Sequence, residues 1–162
     1  MTIKPIKVFI DNSPLTSGHA VRGIGNYTRN LIEGIKRNNV IQLVDLADQP
    51  DIIHYPYFDV FYYSLPINKK HPTVVTIHDV IPLVFPQHYP PGLKGKIVHQ
   101  LQKIALSNVD AVITDSECSK TDIINYLHYP SEKIFVTYLA AGQNFHQLSK
   151  NNPNDSWWKT IR

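Results

Sequence analysis

Two periodicities share this chain. Short β-branched runs alternate with longer stretches whose apolar residues recur at helical spacing. Lys7-Val8-Phe9-Ile10-Asp11 is an apolar run closing on an acid, and it predicts the first strand. Asn12 to Gly23 is polar and punctuated by Pro14, Gly18 and Gly23, which predicts a loop. From Ile24 the apolar residues Ile24, Tyr27, Leu31 and Ile35 form one helical stripe that runs to about Arg37. Val40 to Leu46 and Asp51 to Tyr55 are the next apolar runs, with breaks at Asn38-Asn39 and Pro50. Thr73-Val74-Val75-Thr76-Ile77 is β-branched at every position. Such a run suits a strand buried on both faces, hence a parallel sheet under helices.

Pro82, Pro86, Pro90 and Pro91 then predict a loop, because so many prolines oppose a helix. Lys94 to Ser107 predicts a helix with Ile97, Leu101, Ile104 and Ala105 on its inner side. Asp110 to Thr114 is a further strand, and Ser116 or Ser119 caps the helix that follows. Ile123, Ile124 and Leu127 are the buried side of that helix, and Pro130 ends it. Lys133 to Leu139 is the last strand. Strands alternating with helices call for right-handed βαβ units. The expected class is α/β: a Rossmann-like, doubly wound, mostly parallel sheet with helices on both faces. Residues 1–146 form that domain, and residues 147–162 read as a linker. Trp157 and Trp158 at its end are large apolar groups that normally pack on something.

Composition changes this picture little. At 162 residues, 43% hydrophobic and 18% charged, the chain has room for one folded domain with a proper core. A net charge of +3 without a dense Lys/Arg run gives no argument for a nucleic-acid partner, and none is expected. Cys118 is the sole cysteine, so no internal disulfide forms. No apolar run approaches the roughly 20 residues that span a bilayer. These features favour a cytoplasmic protein. Lys94, Lys96, His99 and Lys103 make one helix basic: a solvated face, or a peripheral contact with anionic lipid at the inner face of the membrane.

In an open α/β sheet, ligands bind outside the carboxyl ends of the strands. Asp11, the loop to Gly25, His78, Asp79 and Asp115-Ser116 all follow predicted strands, so topology gathers them on one edge. Gly23 and Gly25 permit close backbone approach, and the helix opening near Asn26 offers N–H groups and a positive dipole end to an anion. The alternative is a tight turn that uses glycine for geometry alone; Thr28 stands where the full dinucleotide fingerprint has a third glycine. His78 is placed to donate or accept a proton or to bond a sugar hydroxyl, and Asp79 to orient a ring nitrogen or take a hydroxyl. A structural histidine with Asp79 capping the loop is the competing account. His19, His54, His71, His88, His99, His128 and His146 read as structural or surface residues, and Asp110 and Asp115 as turn and cap residues. No metal-ligand spacing and no nucleophile elbow is present, and Cys118 is not expected to be reactive.

Three segments carry a resemblance. They are Gly23-Ile24-Gly25-Asn26-Tyr27-Thr28-Arg29-Asn30-Leu31, Thr76-Ile77-His78-Asp79-Val80-Ile81-Pro82-Leu83 and Ile113-Thr114-Asp115-Ser116-Glu117-Cys118-Ser119-Lys120. In this order they resemble the amino-terminal domain of retaining GT-B-fold glycosyltransferases, of the group 1 family that includes bacterial mannosyltransferases of O-antigen and exopolysaccharide synthesis. The likeness runs from about Lys7 to Phe145. Leu139-Ala140-Ala141-Gly142 departs from the Pro-Asn-Gly usual at the domain exit.

The resemblance implies that this half holds the acceptor, a saccharide or a lipid-linked one. A separate carboxy-terminal domain, toward which residues 147–162 would lead, holds the nucleotide-sugar. It assigns His78 and Asp79 to the reaction centre, and Gly23, Gly25, Asn26 and Ser116 to substrate binding. It implies retention, transfer of a hexose such as mannose in cell-surface polysaccharide synthesis, and no metal or other cofactor. The donor's own phosphate would help deprotonate the acceptor. These residues alone are then expected not to catalyse transfer.

Two other classes compete. One is a non-catalytic Rossmann-like module that binds a ligand or a partner chain. The other is a nucleotide-dependent oxidoreductase, for which Asp45 or Asp48 would have to hold a ribose. The missing third glycine argues against the latter.

Overall fold

The computed structural model describes residues 4–141. The readings made for Gly142, His146, the linker and the two tryptophans lie outside the described residues.

Six strands form one sheet in the order β2-β1-β3-β4-β5-β6. They are β1 (Ile6–Ile10), β2 (Ile41–Leu43), β3 (Ile52–Tyr55), β4 (Thr73–Thr76), β5 (Ala111–Thr114) and β6 (Ile134–Val136). Every neighbouring pair runs parallel. The class read from the sequence is therefore the observed one, an α/β Rossmann-like sheet consistent with half of a GT-B fold. Strand order reverses between β1 and β3, so loops leaving those strands part and open a crevice at the carboxyl edge.

The helices are α1 (Ser13–Thr16), α2 (Gly23–Lys36), α3 (Ile81–Val84), α4 (Gly92–Ser107) and α5 (Glu117–Asp122), the last running into a π-helical turn over Ile123–Leu127. Two of them correct the loops expected from sequence. Pro14 and Pro82 sit in the first turns of α1 and α3, where a missing N–H costs nothing and the fixed φ suits the helix.

The main core lies where the β3–β4 connection and α4 cover the sheet. Val75 and Val112 from the strands and Ile77 just past β4 meet Phe58, Val60 and Leu65 from the connection and Ala105 and Leu106 from α4. Burying each such aliphatic group contributes roughly 1.5–3 kcal/mol.

The inner side of α4 differs from the expected stripe. Gly95, Val98, Gln102, Ala105 and Leu106 are buried, whereas Ile97 and Ile104 are 57% and 51% exposed. Gly95 faces inward because Pro91 and Phe61 pack against it; a Cβ there would lie 2.9 Å from the Pro91 side chain. Gln102 faces inward because its amide satisfies the connection's backbone. Its Oε1 accepts from Ser64 N–H at 3.2 Å and Ser64 Oγ at 2.9 Å, and its Nε2 donates to Leu65 O at 3.1 Å.

The other face of the sheet has a polar inlay. His54 on β3 is buried, and its Nε2 lies 2.8 Å from Thr76 Oγ1 on β4. The Tyr27 hydroxyl of α2 meets the same oxygen at 3.0 Å.

Candidate active site

The carboxyl edge holds a cavity of about 400 Å³. Its walls come from the start of α2 (Gly23, Ile24, Tyr27), the segment after β3 (Tyr57 to Val60), the segment after β4 (His78, Asp79, Pro82), Asp115 after β5 and Leu139 after β6. Loops from both sides of the strand-order reversal thus converge on one space, as the topology requires.

His78 is the centre of this wall. Its Nδ1 is 2.9 Å from Asp115 Oδ2. Its Nε2 is buried and has no hydrogen-bond partner among the described residues. The Tyr27 ring lies edge-on to the imidazole, centroids 4.7 Å apart. The ring is thus fixed by a carboxylate and an aromatic edge while one nitrogen is left to serve a ligand. Asp115, expected as a turn or cap residue, is the group that orients the imidazole. Asp79 does not do this; its Oδ1 accepts from Ile81 N–H at 3.0 Å and so caps α3, while the residue still lines the cavity.

The two glycines have different jobs. Gly23 lines the cavity, and an added Cβ would meet nothing within 4 Å. Gly25 is buried, and a Cβ there would collide with the carbonyl oxygens of His19 and Ala20, the second at 2.7 Å. Gly25 therefore lets the preceding loop close onto the helix, which is the geometric account of the turn. Gly25 N–H already donates to His19 O at 3.2 Å. Among the described residues, no acceptor pairs with the N–H groups of Gly23 and Ile24, the first two of α2. Asn26 is exposed, and its Oδ1 accepts from Arg29 at 2.7 Å. Ser116 caps α5, accepting from Ser119 N–H at 3.0 Å and donating to Ser119 Oγ at 2.9 Å. Neither Asn26 nor Ser116 is among the residues that line the cavity.

Burial sets the state of the supporting groups. Desolvation pulls the His54 imidazole down to about 4, so it is neutral near pH 7. Tyr27 is raised by burial, partly offset by its bond to Thr76, and stays a neutral phenol. Tyr57 is raised by burial and by Asp59, whose Oδ2 accepts its hydroxyl at 3.0 Å.

Sequence reasoning missed Tyr57, Asp59 and the pairing of Asp115 with His78. The available signal for the first two was their position directly after a strand. Among the described residues, no group of three or more His, Cys, Asp or Glu is arranged to hold a metal ion. No helix among them is long and apolar enough to cross a membrane.

Searches against curated proteins and solved structures find no match. A family model, Glycosyltransferase Family 4, matches residues 18–140, a span that begins before α2 and covers every wall of the cavity. The chain belongs to glycosyltransferase family 4.

Proposed function

We propose that this domain is the acceptor-side half of a retaining hexosyltransferase, and that the His78 cavity is where the transferred sugar sits when a donor-binding lobe closes over it. The observation that carries this is the His78 imidazole, held by Asp115 on one nitrogen and left unpartnered on the other, in the wall of the carboxyl-edge cavity. In this reading His78 Nε2 bonds a hydroxyl of the transferred sugar, and the N–H groups at the start of α2, beside Gly23, face donor phosphate or sugar oxygens. Asp79 supports the same wall. Ser116 caps α5 and Asn26 braces Arg29 on α2, so in this reading their contribution to substrate binding is indirect.

The donor is a nucleotide-sugar, and the acceptor a saccharide or lipid-linked saccharide of cell-surface polysaccharide synthesis; mannose and a bacterial pathway follow the sequence resemblance. No resident metal or cofactor takes part in this scheme, and catalysis rests on placed dipoles. Transfer requires the donor lobe, so residues 4–141 by themselves bind nucleotide-sugar weakly. The work is done in the cytoplasm, with α4 resting on the inner membrane face through exposed Leu93, Ile97 and Ile104 beside Lys94 and Lys96.

The test is transfer by the enzyme with its donor lobe in place. His78→Ala is expected to lower kcat by about a hundredfold or more with the fold intact by circular dichroism. Unchanged turnover removes His78 from the site. Tight calorimetric binding of a nucleotide-sugar to the 162-residue chain would overturn the division between the two lobes.

A further inference from the structure

A second cavity of about 550 Å³ adjoins the first, and Asp59 and Pro82 line both. The two spaces share a wall at Asp59 and Pro82, and the second, the outer trough, is lined on its other side by the first turn of α4. Tyr62, Tyr63 and Tyr89 line the far part, 72%, 65% and 48% exposed, with Lys94 at its side.

Large aromatic rings exposed on a surface call for an explanation when their backbone is held still. Here it is held still. Asp59 Oδ1 accepts from Phe61 N–H at 2.7 Å and Tyr62 N–H at 3.0 Å. Asp59 N–H donates to Ser64 Oγ at 2.8 Å, and Ser64 is in turn tied to buried Gln102. His99 Nδ1 lies 3.2 Å from Val60 O. Gly95 allows Pro91 and Phe61 to close against α4 from the other side. Tyr62 and Tyr63 are thus displayed by a pre-ordered loop, which lowers the entropy lost when a ligand settles on them, and Tyr89 lines the same space from the segment before α4.

We propose that this outer trough binds the non-reacting units of a linear oligosaccharide acceptor, and so makes the enzyme one that extends an existing saccharide. Tyrosine offers a flat apolar face for the C–H side of a pyranose and a hydroxyl for its polar rim. Lys94 adds a donor to sugar oxygens. The shared wall at Asp59 and Pro82 supplies direction: the acceptor end lies by His78 and the rest of the chain crosses this wall to the tyrosines. A separate priming transfer must then supply the first units. The proposal rests on reading the His78 cavity as the reaction centre.

The test is retention of the 162-residue chain on an array of defined linear hexose oligosaccharides of one to six units. Binding is expected for oligosaccharides longer than a single unit, weakened about tenfold by Tyr62→Ala and retained in Tyr62→Phe, with circular dichroism confirming the fold. Binding abolished by His78→Ala but indifferent to Tyr62→Ala and Tyr89→Ala overturns the trough and leaves the reaction centre standing. Binding indifferent to all three variants sinks both readings. Retention of no oligosaccharide, or a Tyr62→Ala effect confined to co-sedimentation with phosphatidylglycerol vesicles, also overturns the trough.

Discussion

Tyr27 sets its ring at 88° to the His78 imidazole while its hydroxyl bonds Thr76 Oγ1. The helix that opens at the glycine turn is thereby tied to β4, the strand that delivers His78. Thr76 also meets His54 on β3, so one threonine hydroxyl links three elements beneath the site. Any disturbance of this inlay reaches the cavity wall through Tyr27.

Asp115 lines the cavity and holds His78 Nδ1 at 2.9 Å. Asp115→Asn keeps the shape but weakens a charge-assisted bond, and Asp115→Ala removes it. The expected result is a loss of kcat of about ten- to a hundredfold with KM little changed. The His78 ring nitrogens, followed by NMR, should show a changed tautomer balance. A silent Asp115→Ala would mean that the ring needs no orienting carboxylate.

Thr76→Val keeps the volume and deletes the shared hydroxyl. It strands the His54 nitrogen and the Tyr27 hydroxyl in buried surroundings, which costs about 2–4 kcal/mol. Urea unfolding measures this directly, and Thr76→Ser should recover most of the loss. Equal midpoints for the valine variant and the parent would show that the inlay contributes nothing.

His54 makes stability depend on pH. Its folded value is lowered to about 4 from the ordinary 6.5 by burial. Between those values the unfolded chain binds a proton that the folded chain refuses, so stability falls as pH drops from 6.5 toward 4 and is unaffected by this group above 7. The effect approaches about 3 kcal/mol at the acid end. His54→Gln should flatten the slope relative to the parent over this window in urea midpoints taken at pH 7 and pH 5. Parallel slopes would place the proton uptake elsewhere.

The two glycines of the turn should separate cleanly. Gly25→Ala forces a methyl group against the His19 and Ala20 carbonyls, so a loss of about 1–3 kcal/mol is expected. Gly23→Ala meets open space and should leave the melting temperature within a degree or two, while changing donor affinity if Gly23 faces the donor. Calorimetric melting of both variants checks the contrast.

Much of this molecule was legible because strands buried on both faces announce themselves. Thr73 to Thr76 and Ala111 to Thr114 have too few polar groups to stand at a surface. The carboxyl-edge rule then placed His78 and the α2 start together without further information. On α4 apolarity and burial part company: Gly95 is inside for want of a side chain, and Gln102 is inside because backbone groups of the connection need partners. Asp115 was passed over because Asp79 is the neighbour in sequence, whereas the partner in space lies 37 residues on. The segment of Tyr57 and Asp59 has no regular periodicity, and its order comes from side-chain bonds that no local pattern encodes.

The outermost strands, β2 and β6, are three residues each. So few free ladder positions make a poor template for foreign chains, which guards against fibrous aggregation. They also leave little for a neighbouring lobe to grip by extending the sheet. In the proposed reading a donor lobe would then dock on the rim of loops, and the surface assigned there to sugars would also serve as the bearing between the halves.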